Sequence, residues 1–472
     1  MRGRLLLLLV ALATLECSND QFCDADAGAC GDSGTSVPPV SGGGCDSSKP
    51  ASQGGCAVAE TDGFFVAPTG SDASAGSKLA PFQTIGKGIT AAAADPTRPN
   101  VYVCQGTYAE NLVIQTAPAG VALHGGFDCA SWTQTSAPTA VAPKSGYALH
   151  VLGAAALVES MTLTAPDATA PGASSIAAFV DGSPGMTFRR AAVTAGAGGD
   201  GATPQSTPML APAQAGNSNT AGNACPAVIC KCATDTSTGG AGGGYFDAGT
   251  YIQPTSGLPV IGGDLDAGHA GSSGPPGNGA SGAGGKAGAS TGSLGELTSG
   301  GWVASPGGAG VAGDTAQGGG GIGGDPGLPQ GAGAGGACGG CGGAAGKGGD
   351  GGGASIAIAA INSVVRVQAS AVKAAKAGNG GNGAGGQPGQ PGGTGGTGPT
   401  GAGGNGGTGG SGGNGGGGAG GISVAVATNS GAPAPDIDSS SSVLAGTPGK
   451  GGVDGAGANK AVDGLATPVH AF

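Results

Sequence analysis

From Gly380 to Gly416 every third residue is glycine, thirteen in succession, and Gly446, Gly449, Gly452 and Gly455 resume the period. Nothing else in the chain constrains its folding so strongly. A strict period of three suits a polyproline-II-type helix, which has three residues per turn and no internal hydrogen bonds. Shorter runs of the same period, Gly318 to Gly327 and Gly340 to Gly352, occur within residues 196–353 with shifts of phase between them. A collagen helix also needs abundant proline, and residues 380–416 contain only Pro388, Pro391 and Pro399. Two states remain for these tracts, a polyglycine-II-like packed bundle or a disordered chain. Phase shifts are what turns between short packed rods require, and they favour the bundle.

Glycine buries no side chain and loses the most backbone entropy on ordering. With 111 glycines in 472 residues, 3% aromatic and 10% charged, a globular core over the whole length is excluded. Core-forming residues are therefore concentrated in a minority of the chain. Phe64–Val66, Val101–Cys104, Leu112–Ile114 and Val121–Leu123 read as short strands between tight turns. Between the first two, a helix is expected from Pro81 to Ala94, with Phe82, Ile85 and Ile89 on one face and Pro81 in its first turn.

Further on the pattern repeats. Ser175–Val180, Met186, Phe188 and Val193 are followed by a glycine tract; Ser355–Ile361, Val365, Val367 and Val372 follow the same spacing into a second tract. Ile422–Val426, Ile437 and Val443 form a looser copy, and residues 147–168 a first copy without the tail. One copy has no apolar face large enough to stand alone. Stacked copies would share a core, which is the logic of a solenoid. The glycine tracts then leave the stack at one corner and return to it.

The amino terminus, Met-Arg-Gly-Arg before LLLLLVALA, reads as a secretory signal, too short to span a bilayer, and no later apolar stretch is long enough. Two exits are compatible with it. Ala11-Leu12-Ala13 suits cleavage and soluble export. Cys17 followed by Ser18 suits lipidation and a lipid anchor, although Glu16 replaces the small residue expected there. The protein is expected outside the cell or on the outer-membrane surface. Twelve cysteines in an exported chain should mostly pair. Removing residues 1–16 takes away Arg2, Arg4 and Glu16, so the net charge moves from −11 to −12. Such acidity disfavours nucleic acid as a partner.

The reading by segment is a signal (1–16), a Cys/Ser/Gly-rich linker (17–60), a cap with the first coils (61–195), a Gly-rich insertion (196–353), a coil (354–377), a Gly-X-Y-like insertion (378–420), and a last coil with the C-terminal tail (421–472). Cys23, Cys30, Cys45 and Cys56 would tie the linker locally. Cys104 and Cys129, 25 residues apart, should stack on adjacent coils. Strands about 4.8 Å apart fall within the Cα separation a disulfide accepts. In an extended glycine helix Cys338 and Cys341 would lie about 9 Å apart, too far to bridge each other. They should reach a neighbouring segment, with Cys225, Cys230 and Cys232 as candidates.

FFVAPTGSDASAGSKLAPFQTIGKGI from Phe64, VYVCQGTYAENLVI from Val101 and VALHGGFDC from Val121 together resemble the head of bacterial right-handed parallel β-helices of the pectin-lyase-like class. They look most like a secreted family with a GSD turn, a P-F-x-T-I helix and a G-T-Y-x-E element. The glycine tracts resemble, by composition, the PE-PGRS proteins of mycobacteria. The resemblance implies a mainly β, right-handed parallel β-helix whose amino-terminal helix caps the exposed first edge.

β-helices of this class are often polysaccharide lyases or hydrolases, which need a basic proton acceptor with Ca²⁺-binding carboxylates or a pair of acids flanking the scissile bond. The carboxylates on ordered coils are Glu110, Asp128, Glu159 and Asp181, and the bases Arg189, Arg190 and Arg366. No acid cluster recurs at coil spacing on one face, and Glu110 is expected to tie a turn. His124, His150, His269 and His470 are isolated and read as solvated or turn residues, and no zinc pair is spaced among them. Gly320–Asp325 matches the start of a calcium nonapeptide once, which this composition produces by chance. No cofactor or metal site is therefore expected. The sequence points to a non-catalytic, exported structural or adhesive protein of the cell surface, with an extracellular polysaccharide as its candidate partner. A polysaccharide lyase or hydrolase acting in the β-helix groove is the alternative.

Overall fold

The computed structural model describes residues 58–115, 120–218, 225–233, 235–243, 276–324 and 332–472, with the backbone of four short strands, Cys23–Asp24, Ala29–Cys30, Gly244–Tyr245 and Tyr251–Ile252. The signal segment, Cys17, Cys45, Cys56 and His269 lie outside the described residues. Cys23 and Cys30 stand opposite each other in an antiparallel pair described at backbone level only.

The described chain is mainly β, with one helix, and most of its strands form three parallel sheets. The first sheet holds Gly63–Val66, Asn100–Cys104, Val121–Phe127, Ala156–Glu159, Met186–Arg189, Val365–Gln368 and Asp436–Ile437. The second holds Gly106–Tyr108, Thr139–Val141, Met161–Thr164, Ala192–Thr194, Ala371–Lys373 and Ser442–Leu444. The third holds Leu112–Gln115, Leu149–Leu152, Ser175–Asp181, Ser355–Ile361, Ser423–Thr428 and Ala466–Ala471. From Asn100–Cys104 onward the strands of these sheets visit first, second and third sheet in chain order and then return to the first; Gly63–Val66 precedes them on the first. Each circuit lays one strand beside its predecessor on every sheet.

The sequence copies are these circuits. Met186 pairs with Val365 and Phe188 with Val367, while Val193, Val372 and Val443 form one row on the second sheet. The alternate residues that the spacing marks as apolar, among them Val158, Phe188, Val367 and Val372, meet in one buried cluster between the sheets. At the corner between first and second sheets, Ser160, Arg190 and Ala369 adopt φ of 54°, 49° and 47° in successive circuits. A left-handed non-glycine residue costs about 1–2 kcal/mol. Here it turns the chain sharply enough to keep both flanking strands in the stack.

The helix runs Ile85–Ala94 and starts later than Pro81 because Phe82 is paired with the first strand and Thr84, in extended conformation, is the N-cap, while two carboxylates take N–H groups around the helix start. Asp72 accepts from the backbone of Gln83 and Thr84, and Glu110 accepts from the N–H groups of Ile85 and Gly86, both at 3.0 Å. Burial raises the Asp72 pKa, but the hydrogen bonds from Thr84 and Gln83 outweigh it and the net direction is down. Pro81 lies outside the helix, and Phe82 instead bridges Val66 beside the first strand. Phe82, Ile85, Ile89 and Ala92 close the amino-terminal end of the core. The GSD turn and the G-T-Y-x-E element thus both serve to hold the cap.

Every glycine excursion leaves after the second sheet and returns at the third, over residues 195–354, 374–422 and 445–465. The third of these falls within the segment read as last coil and tail. Ser175, Ser355 and Ser423, in register at the start of the third-sheet strands, are buried where the excursions depart. Ser355 Oγ donates to the Gly196 carbonyl at 2.7 Å and accepts from the Ala375 N–H at 2.8 Å. Ser423 repeats the arrangement with Ala375 and Gly446. Each serine ties an outgoing segment to a returning strand.

Outside the sheets the excursions run side by side, hydrogen-bonded at every third residue. Gly340, Gly343, Gly346 and Gly349 donate to the carbonyls of Gly407, Gly410, Gly413 and Gly416. Within 403–421 the roles divide by threes. Gly406, Gly409, Gly412 and Gly415 donate to 384–393, while Gly407, Gly410, Gly413 and Gly416 donate to 308–317. A Cβ at Gly409 would collide with the Cys341 carbonyl, and one at Gly410 with the Ala283 carbonyl. Two of every three residues must therefore be glycine. The third, Asn405, Thr408 and Ser411, is exposed. In segment 276–291, on the outside, Gly279, Gly282, Gly285 and Gly288 meet such a constraint, Gly284 does not, and the positions between them otherwise hold alanine, serine and lysine.

Two kinds of attachment secure this layer. A hairpin, Gly295–Thr298 with Gly301–Ala304, lays Leu297 and Trp302 on Ile176, Phe179, Ile356 and Ala359 of the third sheet. Cys230 joins Cys338 and Cys232 joins Cys341, with Cα separations of 6.1 and 5.4 Å. The two cysteines three apart thus reach the neighbouring strand Ile229–Lys231 and the residue just beyond it. Cys225 is buried and unpaired.

Candidate functional site

The most concentrated polar chemistry in the described residues lies on the outer side of the first sheet. Strand register places Phe65, Tyr102, His124, Glu159, Arg189 and Gln368 in one row, a residue from each successive circuit. Their alternate neighbours point into the core, so this row faces outward together. Glu159 is its centre. The carboxylate meets His124 Nδ1 at 2.6 Å and accepts from Arg189 Nε at 2.8 Å and from Arg190 Nη2. Arg190 reaches back to Glu159 from the left-handed corner position. His124 is 9% and Glu159 6% exposed, so this is a charge cluster shielded from water.

The histidine therefore corrects the reading of isolated, solvated imidazoles. Tyr102 stacks on its ring at 5.5 Å, and burial, with Arg189 and Arg190 adding to it, lowers its pKa to about 3. Nε2 faces Asn100 Oδ1 at 3.1 Å, a contact that favours a second ring proton. Burial and the two arginines oppose that proton and prevail. The ring is neutral near pH 7 and donates from Nδ1 to Glu159. His150 and His470 are half-buried, in the third sheet.

The other carboxylates do not join the cluster. Glu110 binds the helix amino terminus, and Asp128 accepts from the N–H groups of Ala130 and Ser131 in its own turn. Asp181 ends a strand of the third sheet. Asp436 faces Arg366 at 3.9 Å on the first sheet, but three strands beyond Glu159. At about 4.8 Å per strand that is about 14 Å. Acid pairs that cleave glycosidic bonds stand about 5–9.5 Å apart. A shallow groove of about 360 Å³ runs along the corner beside Arg190, lined by Ser160, Thr162 and Ala369. Among the described residues no group of three His, Cys, Asp or Glu side chains is placed to hold a metal, and no helix is long and apolar enough to cross a membrane.

Cys104 and Cys129 are joined, with Cα atoms 5.0 Å apart, at the outer edge of the first sheet. They pack with Phe65, Tyr102, Phe127 and Trp132 in a cluster of their own.

Sequence reasoning missed the His124–Glu159 pair because its members are 35 residues apart and no period relates them. The usable signal was the pairing of Val158 with Leu123 as inward residues, which puts the next position of each strand outward and adjacent. No family model, curated protein or solved structure matches this chain.

Proposed function

We propose that the chain is a non-catalytic, exported structural or adhesive protein of the cell surface, built as a parallel β-helix that carries a polyglycine-II-type bundle. The cyclic order of the strands over three parallel sheets supports the solenoid. The hydrogen bonds repeating every third residue support the bundle.

The observation that carries the functional reading is the use to which the carboxylates are put. Glu110 binds a helix terminus, Asp128 binds its own turn, and Glu159 is satisfied by His124, Arg189 and Arg190. Each does a structural task where an enzyme would leave it open to substrate. A scaffold that resists unfolding through backbone pairing and disulfides suits exposure outside the cell, where an extracellular polysaccharide is the partner we favour. The rival, a polysaccharide lyase or hydrolase, draws on one observation, the groove beside Arg190 and the adjoining His124–Glu159 pair.

Incubating the mature protein with pectins and alginates, with and without Ca²⁺, distinguishes the two. Binding on a glycan array without unsaturated or reducing-end products is the expected result. Turnover that Glu159→Gln abolishes in a folded variant would overturn the structural reading.

A further inference from the structure

All five Asn–Gly pairs of the chain lie in the glycine layer: Asn278–Gly279, Asn379–Gly380, Asn382–Gly383, Asn405–Gly406 and Asn414–Gly415. In a flexible chain such a pair is chemically weak, because glycine offers no side chain to hinder its own nitrogen. That nitrogen attacks the asparagine Cγ and a C–N bond closes a succinimide ring. The Cγ–NH₂ bond breaks, and ammonia leaves with the proton the glycine nitrogen gives up. Water then opens the ring to aspartate or isoaspartate. The reaction needs no oxidant and no other reactant.

Here both reacting groups are engaged with a neighbouring segment. Asn382 Oδ1 accepts from the Val453 N–H at 2.9 Å, while the Gly383 N–H donates to the carbonyl of that same Val453 at 2.8 Å. Asn379 and Gly380 hold Lys450 in the same way, at 3.0 and 2.8 Å. Asn278 and Gly279 hold Asn405, at 2.9 and 2.8 Å. Asn405 Oδ1 accepts from Gly395 while Gly406 donates to Gly393, and Asn414 Oδ1 accepts from Gly386 while Gly415 donates to Ala384. Burial is not what protects them. Asn278, Asn382 and Asn405 are exposed, and Asn379 and Asn414 half-exposed.

We propose that these five pairs are latent deamidation sites, closed by a two-point clasp in the folded bundle and opened only when its segments separate. Asparagine is useful here because its carbonyl supplies a second bond to the neighbouring segment. The same choice makes the bundle carry a chemical record of its own opening.

The test incubates the intact, oxidised chain at mildly alkaline pH in buffer and in concentrated urea, with peptide mapping of aspartate and isoaspartate at each site. The expected result is a rate at least about tenfold lower in buffer at all five sites, the protection that a cooperatively folded unit confers. A rate in buffer within about twofold of the rate in urea at these sites would overturn the proposal. Gly452→Ala adds a Cβ that collides with the Gly381 carbonyl. In buffer it should raise the rates at Asn379 and Asn382, which clasp Lys450 and Val453, and leave Asn278 unchanged. A folded Gly452→Ala protein with a loosened 446–455 segment, seen by hydrogen exchange, but with no rise at Asn379 or Asn382 would equally sink the clasp as the gate.

Discussion

At the scale of single residues, the glycine layer obeys a rule that side-chain chemistry alone does not suggest: the identity of a residue is set by the backbone it touches. Gly410 and Ser411 are neighbours with opposite constraints. Replacing Gly410 by alanine would drive a methyl into the Ala283 carbonyl, a backbone atom that cannot step aside. Overpacking of this kind costs about 1–3 kcal/mol, and Gly410→Ala should sit at the top of that range. Ser411 is exposed, and Ser411→Ala should change stability by less than about 0.5 kcal/mol. Urea denaturation of the two variants measures both. A tolerated Gly410→Ala would mean that the segments are not in contact.

His124 supplies a second prediction at this scale. Its pKa falls from the ordinary 6.5 to about 3 in the folded protein, by burial and then by Arg189 and Arg190. Between those two values the unfolded chain binds a proton that the native chain refuses, so native stability falls as pH drops through that window. Above about pH 6.5 the contribution is complete. Asp72, Asp438 and Asp454 also have lowered pKa values, but they titrate from an ordinary value of 3.8 downward. The pKa of His150 is also lowered from 6.5, by burial, so the interval from about pH 4.5 to 6.5 reports on the two histidines together, and a variant isolates the share of His124. Unfolding free energy should decline there in the wild type, by an amount on the order of a few kcal/mol. His124→Gln should make the decline shallower, leaving the part that belongs to His150. An unchanged slope would show that the ring is already charged in the native state.

Among the elements, the strands and the single helix of the described residues were largely legible, because the apolar residues that face inward recur at fixed local spacing. Met186, Phe188 and Val193 predict the placement of Val365, Val367 and Val372 without any knowledge of the 160-odd residues between the two strand groups. The Glu159 cluster was not legible. Its row steps from Tyr102 to His124, Glu159, Arg189 and Gln368 across loops of different length, so contact in space leaves no period in the sequence. Partnering within the glycine layer was hidden for the opposite reason: each segment has the same period, so the period cannot say which lies beside which. Only Cys338 and Cys341 broke the degeneracy. Their disulfides lead to a prediction about coupling. Closing the loop from Cys230 to Cys338, with a separation of 108, contributes about 4.7 kcal/mol by loop-closure entropy. With one bridge present, the other closes only a short ring and adds about 2 kcal/mol. Removing either pair alone should cost about 2 kcal/mol, and removing both about 7 kcal/mol. Additive losses in the two single-pair variants and the double variant would show that the bridges close independent loops.

For the whole molecule, the two layers are held by different physics, and calorimetry should separate them. Between the sheets, Phe188, Val367, Val158 and their neighbours remove apolar surface from water. In the glycine layer most of what is covered is peptide, as the hydrogen bonds of segments 332–353, 374–396 and 403–421 show. Exposing apolar surface on unfolding raises the heat capacity, and exposing polar surface lowers it. An ordinary domain shows about 12–15 cal/mol/K per residue. A chain with 111 glycines, whose packed segments expose mainly amides on unfolding, should fall clearly below that range when normalised to the folded length. Its stability curve should accordingly be flat, with little loss on cooling. Differential scanning calorimetry of the oxidised protein, with heat capacities compared over several pH values, measures the slope directly. An ordinary value per residue would mean that apolar burial dominates throughout, and the distinct energetic character assigned to the glycine layer would be lost.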